Sequence, residues 1–163
     1  RLPVPMLCPL DEAANVVRWP DLPKLYSHFG SRGIIIMTIL QSWSQGVGVF
    51  GERNMKLLES SSNVYVYGGN VREKEYLANL VELCGDFSRQ KLSLSESRNG
   101  RSSSLSTDDK KIFTIADLQA WPRGRALVLS AGNRPVIART VPWMDKPYAD
   151  LIRASLTEYA PKG

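Results

Sequence analysis

Two adjacent carboxylates, Asp11 and Glu12, close an apolar run that begins at Pro5 and reads Pro-Met-Leu-Cys-Pro-Leu. Acids at the carboxyl end of a buried strand stand where open α/β sheets place their ligands. Such a pair can divide the work of Mg²⁺-dependent nucleotide hydrolysis. Asp11 would hold the metal, usually through water, and Glu12 would orient and polarise the attacking water. The same residues also suit a plain strand end followed by a solvated helix start. A second candidate is Gln41, at the end of the apolar run 33–40. An amide there can face a γ-phosphate or its attacking water, or simply cap the next helix.

Other chemistry-bearing residues are weaker signals. The single histidine, His28, lies in a helical pattern with no second ligand nearby, which reads as an ordinary helix residue. Gly68-Gly69 lies between a strand and a helix, where exposed N–H groups can bind phosphate. It lacks both a Lys-Ser/Thr ending and a G-x-G-x-x-G spacing, so it reads as a turn. Residues 86–111 are rich in serine and carry Arg89, Lys91, Arg98, Arg101, Lys110 and Lys111. That composition predicts a surface loop or extended hairpin. Arg98 and Arg101 are its candidate contacts to nucleic-acid phosphates, with a solvated loop as the alternative.

The elements that must position these residues follow from periodicity. Residues 33–40 are uncharged and largely β-branched, as expected of a strand covered on both faces. Asp21 suits a helix N-cap, with Pro23 in the first turn and Leu22, Leu25, Tyr26 and Phe29 at helical spacing up to Gly30. Helices are predicted over 54–60, 71–83 and 148–159, with a short one ending at Trp121. Strands are predicted over 63–67, 125–129 and 136–141, the last two joined by the turn Gly132-Asn133-Arg134-Pro135. The order is β-α-β-α-β-α, a basic loop, a short helix, a hairpin and a helix. It predicts one α/β domain over 1–163: a three-layer, mostly parallel sheet with an antiparallel hairpin near one edge.

The totals agree with a folded, water-facing chain. At 163 residues, 43% hydrophobic and 23% charged, one domain with a sizeable core is expected. No apolar run approaches the length of a membrane span. The chain has no signal peptide and begins at Arg1, which suggests a segment of a longer protein. Cys8 and Cys84 have neither metal-site nor disulfide-framework spacing and suit a reducing compartment. A net charge of +5 mildly favours an anionic partner.

Taken as an ordered set, the motifs carry a resemblance. Leu10-Asp11-Glu12-Ala13-Ala14-Asn15, the helix opening Asp21-Leu22-Pro23, the strand end Leu40-Gln41 and Gly68-Gly69 come first. Pro122-Arg123-Gly124-Arg125 and Thr140-Val141-Pro142-Trp143-Met144 follow. Together they resemble the C-terminal part of type IV secretion coupling proteins of the TraG/TraD type, in the wording of actinobacterial conjugative elements. The resemblance implies a RecA-like (P-loop NTPase type) motor domain, of which this chain is part. The whole protein would be a homo-hexamer, with the segment's own oligomeric state left open. It would use ATP and Mg²⁺ to deliver relaxase and DNA to a type IV secretion channel. The whole protein would be anchored at the cytoplasmic side of the cell membrane, and this segment would be soluble. Asp11 then corresponds to the Walker B Mg²⁺-associated acid, Glu12 to the catalytic glutamate, and Gln41 to the γ-phosphate sensor.

Three departures accompany it. Gly30 stands where relatives carry a candidate arginine finger, leaving Arg32 as the nearest arginine. Pro9 interrupts the Walker B strand. No G-x-x-x-x-G-K-[ST] occurs in the chain, so the segment is expected to bind no nucleotide and to hydrolyse no ATP alone. The alternative is a non-catalytic module that recognises a relaxosome accessory protein or DNA.

Overall fold

A computed structural model describes residues 2–17, 19–97 and 100–160, with the backbone course alone over 91–97 and 100–106. The first strand, β1 (Met6–Leu10), pairs in parallel with β2 (Ile34–Thr38), register Met6↔Ile34 through Leu10↔Thr38. Between them run the short α1 (Ala13–Val16) and α2 (Leu22–Ser31). The Met6 N–H donates to Gly33 O (2.9 Å), and Leu10 O accepts from the Ile39 N–H (3.1 Å). In the two-residue period of the ladder, residues 6, 8 and 10 therefore aim their amides at β2. Pro9 falls on the alternate phase, where an N–H would face the open outer edge. The proline that interrupts the sequence pattern costs the ladder nothing.

Beyond β2, α3 (Trp43–Phe50) and α4 (Glu52–Ser60) turn about Gly51. Ser42 caps α3, its Oγ accepting from the Gln45 N–H at 3.2 Å. The sequence pattern reveals α4 but not α3, because Gly46 and Gly48 dilute the helical signal. Gly46 packs closely against α4. A Cβ there would lie 2.6 Å from Met55 Sδ and 2.9 Å from Leu40 Cδ1, so a larger residue would require these two side chains to shift. Leu22, Phe50, Met55 and Leu58 form the first core, joined by Leu10, Tyr26, Ile36 and Trp43. The Tyr26 hydroxyl donates to Ile36 O at 2.8 Å and fixes α2 against β2.

The second half is organised by a different sheet. β3 (Val64–Tyr67) pairs antiparallel with β6 (Arg125–Ser130), and β6 with β7 (Val136–Arg139). The α/β class is observed, and the hairpin of the last two strands with it. The mostly parallel sheet is corrected to a mixed arrangement, one parallel pair and one antiparallel trio. The reason is visible in β3, where Val64 and Val66 are exposed while Tyr65 and Tyr67 turn inward. A strand covered on one face alternates in this way and is at home in an antiparallel sheet.

Helix α5 (Lys74–Cys84) covers that inner face, together with α6 (Ile115–Gln119). Tyr67, Leu77, Leu80, Val81, Cys84, Leu118 and Leu127 make the second core. The Tyr67 hydroxyl donates to Leu118 O at 2.8 Å. Between α5 and α6 runs a ribbon, β4 (Asp86–Ser97) and β5 (Gly100–Lys111), antiparallel in register Asp86↔Lys111 through Ser97↔Gly100. A 3₁₀ turn (Trp143–Asp145) and α7 (Ala149–Tyr159) follow. The two cores meet where the Trp43 and Tyr76 rings stack at 6.1 Å. There the Glu73 carboxylate accepts the Trp43 and Ser44 N–H groups, each at 2.9 Å. A carboxylate from just before α5 thus satisfies amides at the start of α3.

Candidate functional site

Because β1 and β2 are parallel neighbours, their carboxyl ends lie side by side. Asp11 and Glu12 leave β1 there, and Gln41 leaves β2. The Gln41 Nε2 donates to Glu12 Oε1 at 3.1 Å, so the structure joins two of the predicted site residues directly. Two further residues complete the arrangement. Asn15 Nδ2 donates to Glu12 Oε2 at 3.3 Å, and Gln45 Nε2 donates to Asn15 Oδ1 at 3.2 Å. The Gln41 backbone N–H donates to Gln45 Oε1 at 3.1 Å. Glu12, Gln41, Gln45 and Asn15 therefore form a closed ring of hydrogen bonds.

The sequence reading missed Asn15 and Gln45. The available signal was spacing: Asn15 is three residues past Glu12 and Gln45 four past Gln41, which puts each pair on one helical face. The backbone at the site is strained as well. Glu12 has φ 47° and ψ 44°, a left-handed conformation that a side chain other than glycine or asparagine takes at a cost. Asp11 helps to hold it, its Oδ1 accepting from the Glu12 N–H at 3.1 Å. The Ala13 N–H, donating to Ile39 O at 3.1 Å, pins the turn to the end of β2. Both Asp11 and Glu12 face solvent.

The remaining predicted residues lie elsewhere. Arg32 caps α2 before β2, and its carbonyl accepts from the Leu2 N–H at 2.9 Å. It sits at the opposite end of the strands from Glu12, about 20 Å away by strand rise. Arg101 lies on β5 opposite Glu96 in register; Arg89 likewise opposes Asp108, and Lys111 opposes Asp86. Lys91 and Lys110, by contrast, oppose Ser106 and Phe87, so acids match only part of the ribbon's positive positions. Arg98 falls outside the described residues. No group of three or more His, Cys, Asp or Glu is placed to hold a metal among the described residues.

With that geometry in hand, the relatives can be compared. The family described as the TraM recognition site of TraD and TraG matches residues 5–123. The chain belongs to the TraG/TraD family. No curated protein sequence shows a significant match. Among solved structures, the TraG/TraD chain is similar to the unbound monoclinic form of the bacterial conjugative coupling protein TrwBdeltaN70. The TM-score is 0.70 at 20% identity, covering 86% of this chain and 32% of that one. It is similar to plasmid coupling protein TrwB bound to the ATP analogue ADPNP, with TM-score 0.66 at 21% identity and 86% and 31% coverage. It is also similar to TrwB bound to ADP and Mg²⁺, with TM-score 0.64 at 17% identity and 84% and 30% coverage. At these identities the likeness is one of fold. The TraG/TraD chain spans about a third of the length of these structures. No helix among its described residues is long and apolar enough to cross a membrane.

The donor set of the TraG/TraD chain fits Mg²⁺ in one particular way. Two carboxylates are too few for an all-protein cage. Mg²⁺ is commonly held by one or two carboxylates, with water and substrate phosphates filling the other positions.

Proposed function

We propose that this chain is the C-terminal portion of a conjugative DNA-transfer coupling ATPase and supplies the water-activating side of its nucleotide site. The observation that supports this reading is the Glu12 carboxylate held by Gln41 across the ends of two adjacent parallel strands. Asp11 would hold Mg²⁺, which when bound neutralises phosphate charge. Glu12 would take the proton of the attacking water. Gln41, bonded to Glu12, is set to exchange that bond for one to a γ-phosphate oxygen or to the water itself. Asn15 and Gln45 orient both groups. In the whole protein the RecA-like layers would be complete. A second copy could then bring Arg32 to the site, since its own copy's Arg32 is too distant. Relaxase–DNA delivery, a hexamer, a type IV secretion channel and a membrane anchor belong to this proposal for the whole protein.

The test is a Mg²⁺-ATP titration and turnover assay on this chain and on the protein with its upstream sequence. The longer form is expected to bind and hydrolyse ATP, and Glu12→Gln to lower its turnover by at least about a hundredfold without abolishing binding. This chain alone, lacking a phosphate-binding loop, is expected to do neither. Turnover by this chain that Glu12→Gln removes would overturn the split-site reading.

A second reading is favoured by the matched family itself, described as a TraM recognition site. The chain would then bind a relaxosome accessory protein or DNA without chemistry. Asp11→Asn separates the two. The motor reading predicts lost DNA transfer with partner binding intact, and the recognition reading predicts transfer unchanged.

A further inference from the structure

An open groove of about 710 Å³ lies between α4 and α5. Tyr65 of β3 and Leu129 of β6 line its floor. Glu59 of α4 and Leu83 of α5 stand on its walls. A smaller extension of about 320 Å³ shares Glu59, Tyr65 and Leu83 and runs on past Tyr76. None of the four residues of the Glu12 ring lines either part. Leu83 is 57% exposed although α5 is otherwise a core helix, so apolar surface is left uncovered inside the groove.

The charges along it are arranged in two rows. Glu52 and Glu59 are seven residues apart on α4, and Glu75 and Glu82 seven apart on α5. Each pair therefore sits two turns apart on one helix face. Lys56 occupies Glu52 at 2.7 Å, and Lys111 occupies Glu82 at 3.0 Å. Glu59 and Glu75 have no ion-pair partner among the described residues. Arg134 is exposed in the turn between the lining residues Asn133 and Pro135, but is not itself a lining residue. Glu59 is half-buried, and burial pushes its carboxyl up, the mark of a charge with no counter-ion to stabilise it. On a chain of net charge +5, this groove has the opposite sign.

We propose that the groove docks an amphipathic helical segment of a partner protein that carries Lys or Arg beside apolar side chains. The guest's cation sets against Glu59, a second against Glu75, and its apolar stripe covers Leu83. Two helices spaced by a groove present a trough for a third, and acids repeating over two turns match cations repeating on a helix. Carboxylate rows repel phosphates, so nucleic acid does not fit here. The inference goes beyond the nucleotide reading and does not rest on it.

The experiment uses a fluorescein-labelled synthetic peptide of about 18 residues, long enough to form a helix, with a Lys stripe beside a Leu stripe. A scrambled peptide of the same composition is the control, and binding to the chain is followed by anisotropy. Saturable binding of the striped peptide is expected. The doubly substituted Glu59→Gln, Glu75→Gln variant should weaken it about tenfold, as should Leu83→Ser. Asp150→Asn on α7, which removes an acid outside the groove, should leave it unchanged. Melting curves keep the variants interpretable, since all four positions are at least partly exposed and none is in either core. Equal affinity for the scrambled peptide, or binding unmoved by the double variant, would overturn the proposal. So would direct binding of a labelled short DNA duplex that the double variant weakens. Dimerisation of the chain that Leu83→Ser abolishes would assign the groove to a second copy and overturn it too.

Discussion

Glu12 carries two requirements that conflict. Its side chain must reach Gln41 and Asn15, and its backbone must turn sharply from β1 into α1 at φ 47°. A residue selected for stability alone would be glycine, which takes that conformation freely. Glu12→Gly should therefore raise the stability of the chain by about 1 kcal/mol, measured by denaturant melts, while removing the group proposed to activate water. A loss of stability would show that the exposed ring of hydrogen bonds outweighs the strain. The positions of the Asp-Glu pair and of Gln41 at strand ends were legible in the sequence, because each follows an apolar run, although the same residues suit a plain strand end as well. Asn15 and Gln45 were not, since a polar residue on an exposed helical turn is ordinary until the fold brings two such turns together. Arg32 illustrates the reverse case. Its position relative to Gly30 suggested a role, but it precedes β2 while Gln41 follows it, so within one copy the two stand at opposite ends of the strand.

Among the elements, α3 depends on a group that is distant in sequence. Its first amides are satisfied by Glu73, and that contact also holds the two cores together. Burial alone would raise the Glu73 carboxyl, but the Ser44 hydroxyl and the Ser44 and Trp43 N–H groups outweigh it and hold the pKa below the ordinary value. A carboxylate depressed on folding stabilises above its unfolded pKa, near 4.5, and loses that contribution as pH falls through the lower folded value. Glu73→Ala is expected to cost about 1 kcal/mol at pH 7, as for other lost caps. The cost should shrink as pH falls below about 4.5, read from urea melts across pH. A pH-independent loss would assign the effect to packing instead. Strand β2 was legible as an uncharged, largely β-branched run, and β1 as a short apolar run that stops at two acids. The pairing of β3 was not, because four alternating residues specify a covered face but no neighbour. That choice was made by the β6–β7 hairpin, which supplies a partner running the opposite way.

For the molecule as a whole, average charge is a poor guide to local surface. Arg89, Arg101 and Lys111 of β4 and β5 face acids in register, while the α4–α5 groove holds the unpaired Glu59 and Glu75 on a chain of positive net charge. A second whole-molecule feature is the outer face of the β1–β2 pair. Leu7 (57%), Ile35 (54%) and Met37 (50%) stand exposed together there, facing away from the first core. Exposed apolar surface of this extent favours association. Ile35→Lys should change the stability of this chain by no more than about 0.5 kcal/mol and reduce light scattering at high concentration. The same substitution in the longer protein reports whether that face is internal. A loss of several kcal/mol would mark it as buried there.

Pro9 has a consequence that concerns the chain's fate at high concentration. The outer edge of β1 is an open row of backbone groups, the kind of template on which fibrils grow. Pro9 stands at the exposed phase of that edge, offering a ring where an incoming strand would need a donor. Because the missing N–H would have pointed outward, this protection takes nothing from the pairing with β2. Pro9→Val should restore the donor and shorten the lag before thioflavin-positive material appears in a seeded incubation, with the melting temperature little changed. An unaltered lag would place the polymerising edge elsewhere. A residue that breaks a strand's pattern in the sequence can thus be what keeps the strand from propagating beyond its own molecule.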